Sequence, residues 1–329
     1  MEQLLIHLAQ SAAVVAVLMT LMPYMTWFER RALAAMQVRR GPDRVGWQGL
    51  LQPLADGLKL LFKEDLRLAN GSRALYLLAP GIALFAAIAT AAVIPFGART
   101  TIAGVEVPMC VADLEVGVPY LIGASSLGVY ALVLGGWSSG SKYSLIGALR
   151  AAAQVVSYEL ILGLALIAIV LTNGSTRIGD IVAAQQQQGF WNVLLQPLAF
   201  LLYLIAACAE TNRAPFDLPE AETELVAGYH TEYSGMRFAL FFIAEYVNMI
   251  VVSALAATLF LGGWSGPFLP GPWWLVAKIL VFMFLFVWLR ATLPRMRYDQ
   301  LMRLSWTNLL PLGILNLAIT AVLVVALTR

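Results

Sequence analysis

Eight stretches of roughly twenty apolar residues make up most of this chain, and a helical stretch of that length reaches across the hydrocarbon of a bilayer. They fall at about 4–28, 74–96, 116–137, 147–172, 191–209, 238–263, 272–292 and 306–327. The expected fold class is an all-α polytopic membrane protein with eight transmembrane helices, a single membrane domain over residues 1–329. Composition agrees, since 60% of residues are hydrophobic, mean hydropathy is +0.78 and only 12% are charged, against about 25% in soluble domains. The first run begins with Glu2 and is followed by Glu29-Arg30-Arg31 where a signal peptide would have a small-residue cleavage site, so it reads as a retained helix.

Lys and Arg accumulate on the cytoplasmic side of membrane helices. The odd-numbered connections carry seventeen of them, from Arg30 in the first to Arg303 in the last, while the even-numbered ones carry only Arg99 and Arg177. That asymmetry puts both termini in the periplasm of a bacterial inner membrane. The longest basic connection has Leu50, Leu54, Leu58, Leu61 and Phe62 at helical spacing, with Gln52, Asp56, Lys59 and Lys63 on the other face. An amphipathic surface helix is expected over about 49–64.

One connection breaks the charge pattern. The cytoplasmic loop 210–237 holds Glu210, Asp217, Glu220, Glu222, Glu224 and Glu232 around the single arginine Arg213, before Arg237 opens the next span. Crowded carboxylates beside a bilayer repel one another and raise each other's pKa, which points to proton or cation handling. Within the spans the few ionisable residues are Glu159, Glu245 and Lys278. At about 1.5 Å per residue, Glu245 lies roughly 10 Å and Glu159 roughly 18 Å from the cytoplasmic starts of their helices, so they extend the acidic loop inward. Lys278 enters from the other end and is expected near the midplane, paired with one of these acids. Static interhelical ion pairing is the competing reading. Tyr143, Tyr158, Tyr246, Gln154, Ser157 and Asn248 lie on or near the same helices and supply donors for a water chain.

Other chemistry is unsupported. Two isolated cysteines, Cys110 and Cys208, and two histidines, His7 and His230, make no metal or iron–sulfur cage, and no phosphate-binding glycine motif occurs. The run Gln185 to Gln188 reads as a polar loop, and Trp264, Trp273 and Trp274 read as an interfacial belt.

Several long motifs occur in one order: Glu29-Arg30, Arg40-Gly41-Pro42, Leu51-Gln52-Pro53-Leu54-Ala55-Asp56, Ala209-Glu210-Thr211-Asn212-Arg213-Ala214-Pro215-Phe216-Asp217, Gly228-Tyr229-His230-Thr231-Glu232-Tyr233, Ala244-Glu245-Tyr246 and Pro294-Arg295-Met296-Arg297-Tyr298-Asp299-Gln300. Together they resemble the H-subunit family of bacterial NADH:quinone oxidoreductase, respiratory complex I, over nearly the whole chain. The resemblance implies a membrane subunit of a proton-translocating enzyme, with quinone as substrate and no complete redox site in this chain. FMN and iron–sulfur clusters would belong to peripheral partner subunits, and antiporter-like and small membrane subunits would be neighbours. By motif position, Glu29, Arg30, Asp56 and Lys59, with Phe216, Arg290 and Arg295, would line or neighbour the quinone chamber or its entrance. The proton path would use Glu159, Glu210, Asp217, Glu220, Glu222, Glu224, Glu232 and Glu245, and depth adds Lys278. The other readings are an autonomous proton- or cation-coupled transporter, a docking anchor, and the equivalent subunit of a related membrane-bound hydrogenase complex.

Overall fold

The apolar runs form helices whose ends are set by proline, glycine and charge. The computed structural model describes residues 2–66, 71–102, 105–218, 227–266, 268 and 271–328. In chain order the helices are α1 (Glu2–Met36), α2 (Gln52–Phe62), α3 (Arg73–Ala91), α4 (Gly117–Ser138), α5 (Lys142–Asn173), α6 (Ile178–Gln188), α7 (Asn192–Leu195), α8 (Pro197–Glu210), α9 (Gly235–Phe260), α10 (Pro272–Thr292), α11 (Tyr298–Arg303) and α12 (Leu310–Thr328). A π-helical stretch, Leu304–Leu309, joins the last two, and an antiparallel hairpin of β1 (Thr100–Ile102) and β2 (Val105–Val107) lies between α3 and α4.

Among the described residues seven helices are long and apolar enough to cross a membrane: α1, α3, α4, α5, α9, α10 and the continuous Tyr298–Leu327. The chain is a multi-pass all-α membrane protein. The fifth expected span differs from the others. Pro197 disfavours helical backbone at the residue before it, Gln196 sits at φ −131°, and the run divides into α7 and a 14-residue α8. At about 1.5 Å per residue α8 covers roughly 21 Å, short of a hydrocarbon core of about 30 Å. The break is polar but satisfied: Gln196 Nε2 donates to Thr172 Oγ1 (3.2 Å) and Thr320 Oγ1 (2.9 Å), and Asn316 donates to Gln196 Oε1.

Two local expectations are corrected. The glutamine run belongs to α6, because Gln185 is buried and donates to the Thr258 and Leu259 carbonyls, a contact that requires an ordered helix. Trp264 is buried in the turn after α9, where its carbonyl accepts from Gly271 N–H, whereas Trp273 is largely exposed.

The helix α9 is the most enclosed of the bundle, packing against α3, α10 and α1, and α5 packs against α4, α8 and α12. Small residues permit close approach where hydrophobic burial alone gives little drive between helices in lipid. A Cβ on Gly147 of α5 would lie 2.8 Å from Gly228 Cα, so α5 and the 3-10 turn Gly228–His230 touch backbone to backbone. At the end of the bundle where α3 finishes, Asp113 binds both Arg99 (3.0 Å) and Arg177 (2.8 Å), the only two cations of the even-numbered connections.

That backbone contact makes a direct prediction. Gly147→Val forces a branched side chain against Gly228 and should cost about 1–3 kcal/mol, as overpacking usually does. The measurement is the melting temperature of the detergent-solubilised protein, and an unchanged melt would refute the close approach.

Candidate functional site

Lipid cannot solvate charge, so ionised side chains taken into the bundle must meet partners. The strongest meeting lies toward the ends of α1 and α10 and against the middle of α9, on the side of the bundle here termed the basic end. Glu29 of α1 is buried and accepts a hydrogen bond from Tyr246 Oη at 2.8 Å. Arg213, in the loop after α8, reaches the same carboxylate at 3.4 Å, and Arg290 of α10 also binds it. The Arg213 guanidinium lies 4.3 Å from the centroid of the Tyr246 ring. Burial alone would lower the pKa of Arg213, but Tyr246, Glu29 and Glu245 together hold it above its ordinary value. It is a fixed cation.

Beside this cluster, α1, α2 and α9 enclose a cavity of about 350 Å³. Its walls include Met22, Pro23, Leu60, Leu61, Phe242 and Ile243, and its polar groups are Arg30, Asp56, Thr26 and Tyr246. Arg30 Nη1 binds Asp56 Oδ2 at 2.6 Å, and Gln52 Nε2 donates to the other carboxylate oxygen at 2.9 Å. The cavity is thus an apolar slot with a paired acid and base, the form expected of a small-molecule site. Tyr246 belongs to both places: its ring borders the slot and its hydroxyl binds Glu29.

A second set of polar groups runs into the bundle. Tyr229 Oη donates to Glu245 Oε1 at 3.3 Å. Glu245 and Glu210 border a common cavity of about 70 Å³ together with Tyr229, Asn248, Thr90 and Ser125. Asn248 binds Glu210, whose carboxylate lies in the field of Glu159, and Glu159 accepts a hydrogen bond from Ser126 of α4. Glu245 lies in turn in the fields of Arg213 and Asp217. The fold therefore brings Glu29, Arg213, Glu245, Glu210 and Glu159 into one succession.

Other expected residues stand elsewhere. Phe216 packs against Tyr158 with ring centroids 5.2 Å apart and does not border the slot. Lys59 is exposed on α2 outside the lining, and Arg295 Nη2 donates to the Asp217 carbonyl at 2.5 Å. Glu232 receives the Tyr76 hydroxyl on its backbone oxygen and is not part of the 70 Å³ cavity lining. Glu220, Glu222 and Glu224 lie outside the described residues. The expected pairing of Lys278 with an acid is not formed: its ammonium binds backbone carbonyls at the far end of α9. Among the described residues no group of three or more His, Cys, Asp and Glu side chains could hold a metal ion.

Sequence reasoning gave no role to His230. It is buried, its ring meets Tyr229, Phe238 and Phe242 edge-on at 4.8 to 6.0 Å, and Nδ1 has no hydrogen-bond partner. Phe238 and Phe242 line the slot, so His230 backs its aromatic wall. The motif Gly228-Tyr229-His230 carried the signal, but neither spacing nor charge showed that the ring would be enclosed.

The fold and the site define an all-α multi-pass membrane protein with an apolar slot at the surface of the bundle and a succession of buried acids inside it. The chain belongs to the NADH dehydrogenase family, whose sequence model matches residues 9–321. A relative from Thermomicrobium roseum, the H subunit of its NADH-quinone oxidoreductase, is 57% identical, covering 97% of this chain and 96% of its own length. An H subunit of the NADH-quinone oxidoreductase of Geobacter metallireducens is 56% identical over 96% of this chain and 95% of its own, and that of Syntrophotalea carbinolica is 52% identical over 94% and 93%.

Burial pushes the pKa of His230 down to about 4 from its ordinary value of 6.5, so the ring is neutral at pH 7. Below pH 6.5 the unfolded chain binds a proton that the folded chain refuses until about pH 4. Stability from this group is complete above pH 6.5 and declines as pH falls across that window, by at most about 1.4 kcal/mol per pH unit. Melting curves of wild type and His230→Gln between pH 4.5 and 7 should diverge, the variant having the flatter profile. Parallel profiles would remove His230 from the acid response.

Proposed function

We propose that this chain is the membrane subunit of a proton-translocating NADH:quinone oxidoreductase, and that it contributes one wall of the quinone site and the first protonatable groups of the coupling path. The observation that carries the reading is Tyr246, which borders the apolar slot and hydrogen-bonds the buried Glu29 cluster. A quinone combines an apolar tail with a polar ring, matching a slot walled by Leu60, Leu61 and Phe242 and bearing Arg30 and Asp56. In this reading α8, with α7, is the eighth membrane-inserted element, and α2 lies along the surface with Leu54, Leu58 and Phe62 exposed toward lipid. Both termini face the periplasm, and the basic end faces the cytoplasm.

Electrons would come from an iron–sulfur cluster of a peripheral partner, itself supplied by a flavin that accepts hydride from NADH. Two-electron reduction of a quinone ring requires two protons. Until they arrive the site carries added negative charge, and at about 10 Å with an effective dielectric near 20 each unit is worth about 1.7 kcal/mol to a neighbouring carboxylate. That is enough to change proton occupancy more than tenfold. Arg213 and Arg290 stabilise the added charge, and Tyr246 with Glu29 relays the change to Glu245 through Arg213. From Glu245 the proton-binding groups continue through Glu210 to Glu159, and by motif position alone Asp217, Glu220, Glu222, Glu224 and Glu232 are assigned to proton entry. Antiporter-like membrane subunits would receive the change beyond Glu159.

Neutral variants at Glu245, Glu210, Glu222 or Glu224 should lower quinone reductase activity and proton pumping together by about tenfold or more, as loss of an acid–base group does, with the complex still assembled on native gels. Variants that prevent assembly instead would make these acids structural staples. Purification of the chain from native membranes should bring flavin and iron–sulfur subunits with it. A solitary chain with ion-transport activity would favour the transporter reading, and co-purifying hydrogenase subunits would reassign the electron donor.

Narrowing the slot tests the substrate assignment. Leu61→Trp should raise KM for quinone several-fold with kcat little changed, the pattern of lost uniform binding, while NADH oxidation by a soluble acceptor stays at the wild-type rate. An unchanged KM would move the quinone elsewhere.

A further inference from the structure

Lys278 lies on α10 six residues from its start at Pro272, with only 8% of its surface exposed. Its ammonium donates to three backbone carbonyls, Leu261 O at 2.6 Å, Gly263 O at 2.8 Å and Ser265 O at 2.6 Å. An ammonium has three N–H donors and no acceptor, so its bonding capacity is filled. Among the described residues no carboxylate forms an ion pair with it. The Trp191 ring covers the group, 5.3 Å from Nζ.

The three oxygens belong to the C-terminal end of α9 and the turn that follows. A helix leaves its last carbonyls without partners and carries partial negative charge there, both of which favour a cation. The carbonyls just before them are also bound from outside the helix, Thr258 and Leu259 by Gln185 of α6, and Leu259 again by Asn192 Nδ2 at 2.8 Å. Gly262 lets the chain turn at φ +73°, where a Cβ would also come within 3.2 Å of Trp191. Polar side chains from α6, α7 and α10 thus converge on one helix end, and α9 is the helix that carries Glu245 and Tyr246.

We infer that the carbonyls of Leu261, Gly263 and Ser265 form a monovalent-cation site of ammonium type that the chain fills with its own Lys278, and that this tethered cation is a positioning residue. It fixes the far end of α9 against α10, so that Glu245 and Tyr246 midway along the helix keep their register with Arg213 and Glu29. The inference about activity rests on the reading of the chain as a quinone-coupled subunit. The site itself does not.

The test uses the assembled complex in membranes treated with a protonophore, because ammonium collapses pH gradients. Lys278→Ala empties the cage and should slow NADH-to-quinone electron transfer about tenfold, the order of one charge-assisted hydrogen bond. Millimolar ammonium or methylammonium should restore most of the rate, and tetramethylammonium, which has no N–H, should restore none. The melting temperature of the solubilised Lys278→Ala complex should rise with ammonium while that of the wild type stays constant, a readout that holds whatever the complex reduces. A wild-type rate and melt in Lys278→Ala, or equal effects of ammonium and tetramethylammonium, would overturn the inference. If Lys278→Ala does not assemble, Lys278→Gln decides: its amide occupies the place with two N–H donors and no charge, so its rate should fall and not respond to ammonium, and a wild-type rate would overturn the need for a cation. Absence of quinone reduction by the wild-type complex would count against the functional reading alone.

Discussion

Glu29 is the carboxylate on which three helices and a loop converge. It is almost wholly buried, and its partners come from α9 (Tyr246), α10 (Arg290) and the loop after α8 (Arg213). A buried ion pair is not in itself a source of stability, because desolvation of both charges offsets most of their attraction. What it supplies is specificity. Removing Glu29 leaves Arg213 and Arg290 without the carboxylate they share, so this side chain, with apolar neighbours such as Leu18 and Met25, ties α1 to α9, α10 and the loop after α8.

The same constraint explains how much of the architecture was legible beforehand. Apolar length alone locates the helices, since a span of about twenty residues has one stable form in lipid. It gave no sign of the break in the fifth run, because hydropathy does not register the backbone restriction that Pro197 places on Gln196. It misjudged the glutamines of α6 for the opposite reason: polarity suggests water, but here the carbonyls of another helix supply what water would have supplied. Depth along each helix put Glu245 nearer the basic end than Glu159, the order in which the succession of acids runs. Depth could not say which face Lys278 presents, and the face decided that it meets carbonyls rather than carboxylates.

The helix α9 links these observations. Midway along it Tyr246 joins the slot to Glu29, and one residue earlier Glu245 turns toward Tyr229 and the inner cavity. Consecutive residues on a helix point about 100° apart, so one backbone serves both places. In the proposed function a change of charge in the slot reaches the inner acids through this one element. Coupling of this kind does not need a large movement. It needs an element with two charge states whose energies both sites affect.

In the proposed function, hydrogen-bond capacity separates the groups suited to pass protons from those that hold geometry. The Lys278 ammonium uses all three of its protons on carbonyls that have no proton to give back. Transfer through it would require breaking that cage and leaving several buried carbonyl oxygens without partners, each at a cost of about 1–3 kcal/mol. Glu245, Glu210 and Glu159 differ in kind. Each carboxylate has about four acceptor positions, and the hydroxyl and amide partners around them, Tyr229, Asn248 and Ser126, can rotate or accept as well as donate. Two of these acids also border a common cavity, where one or two waters fit by volume. In the proposed function these three acids carry the proton, while the lysine, its three donors filled, holds the far end of α9.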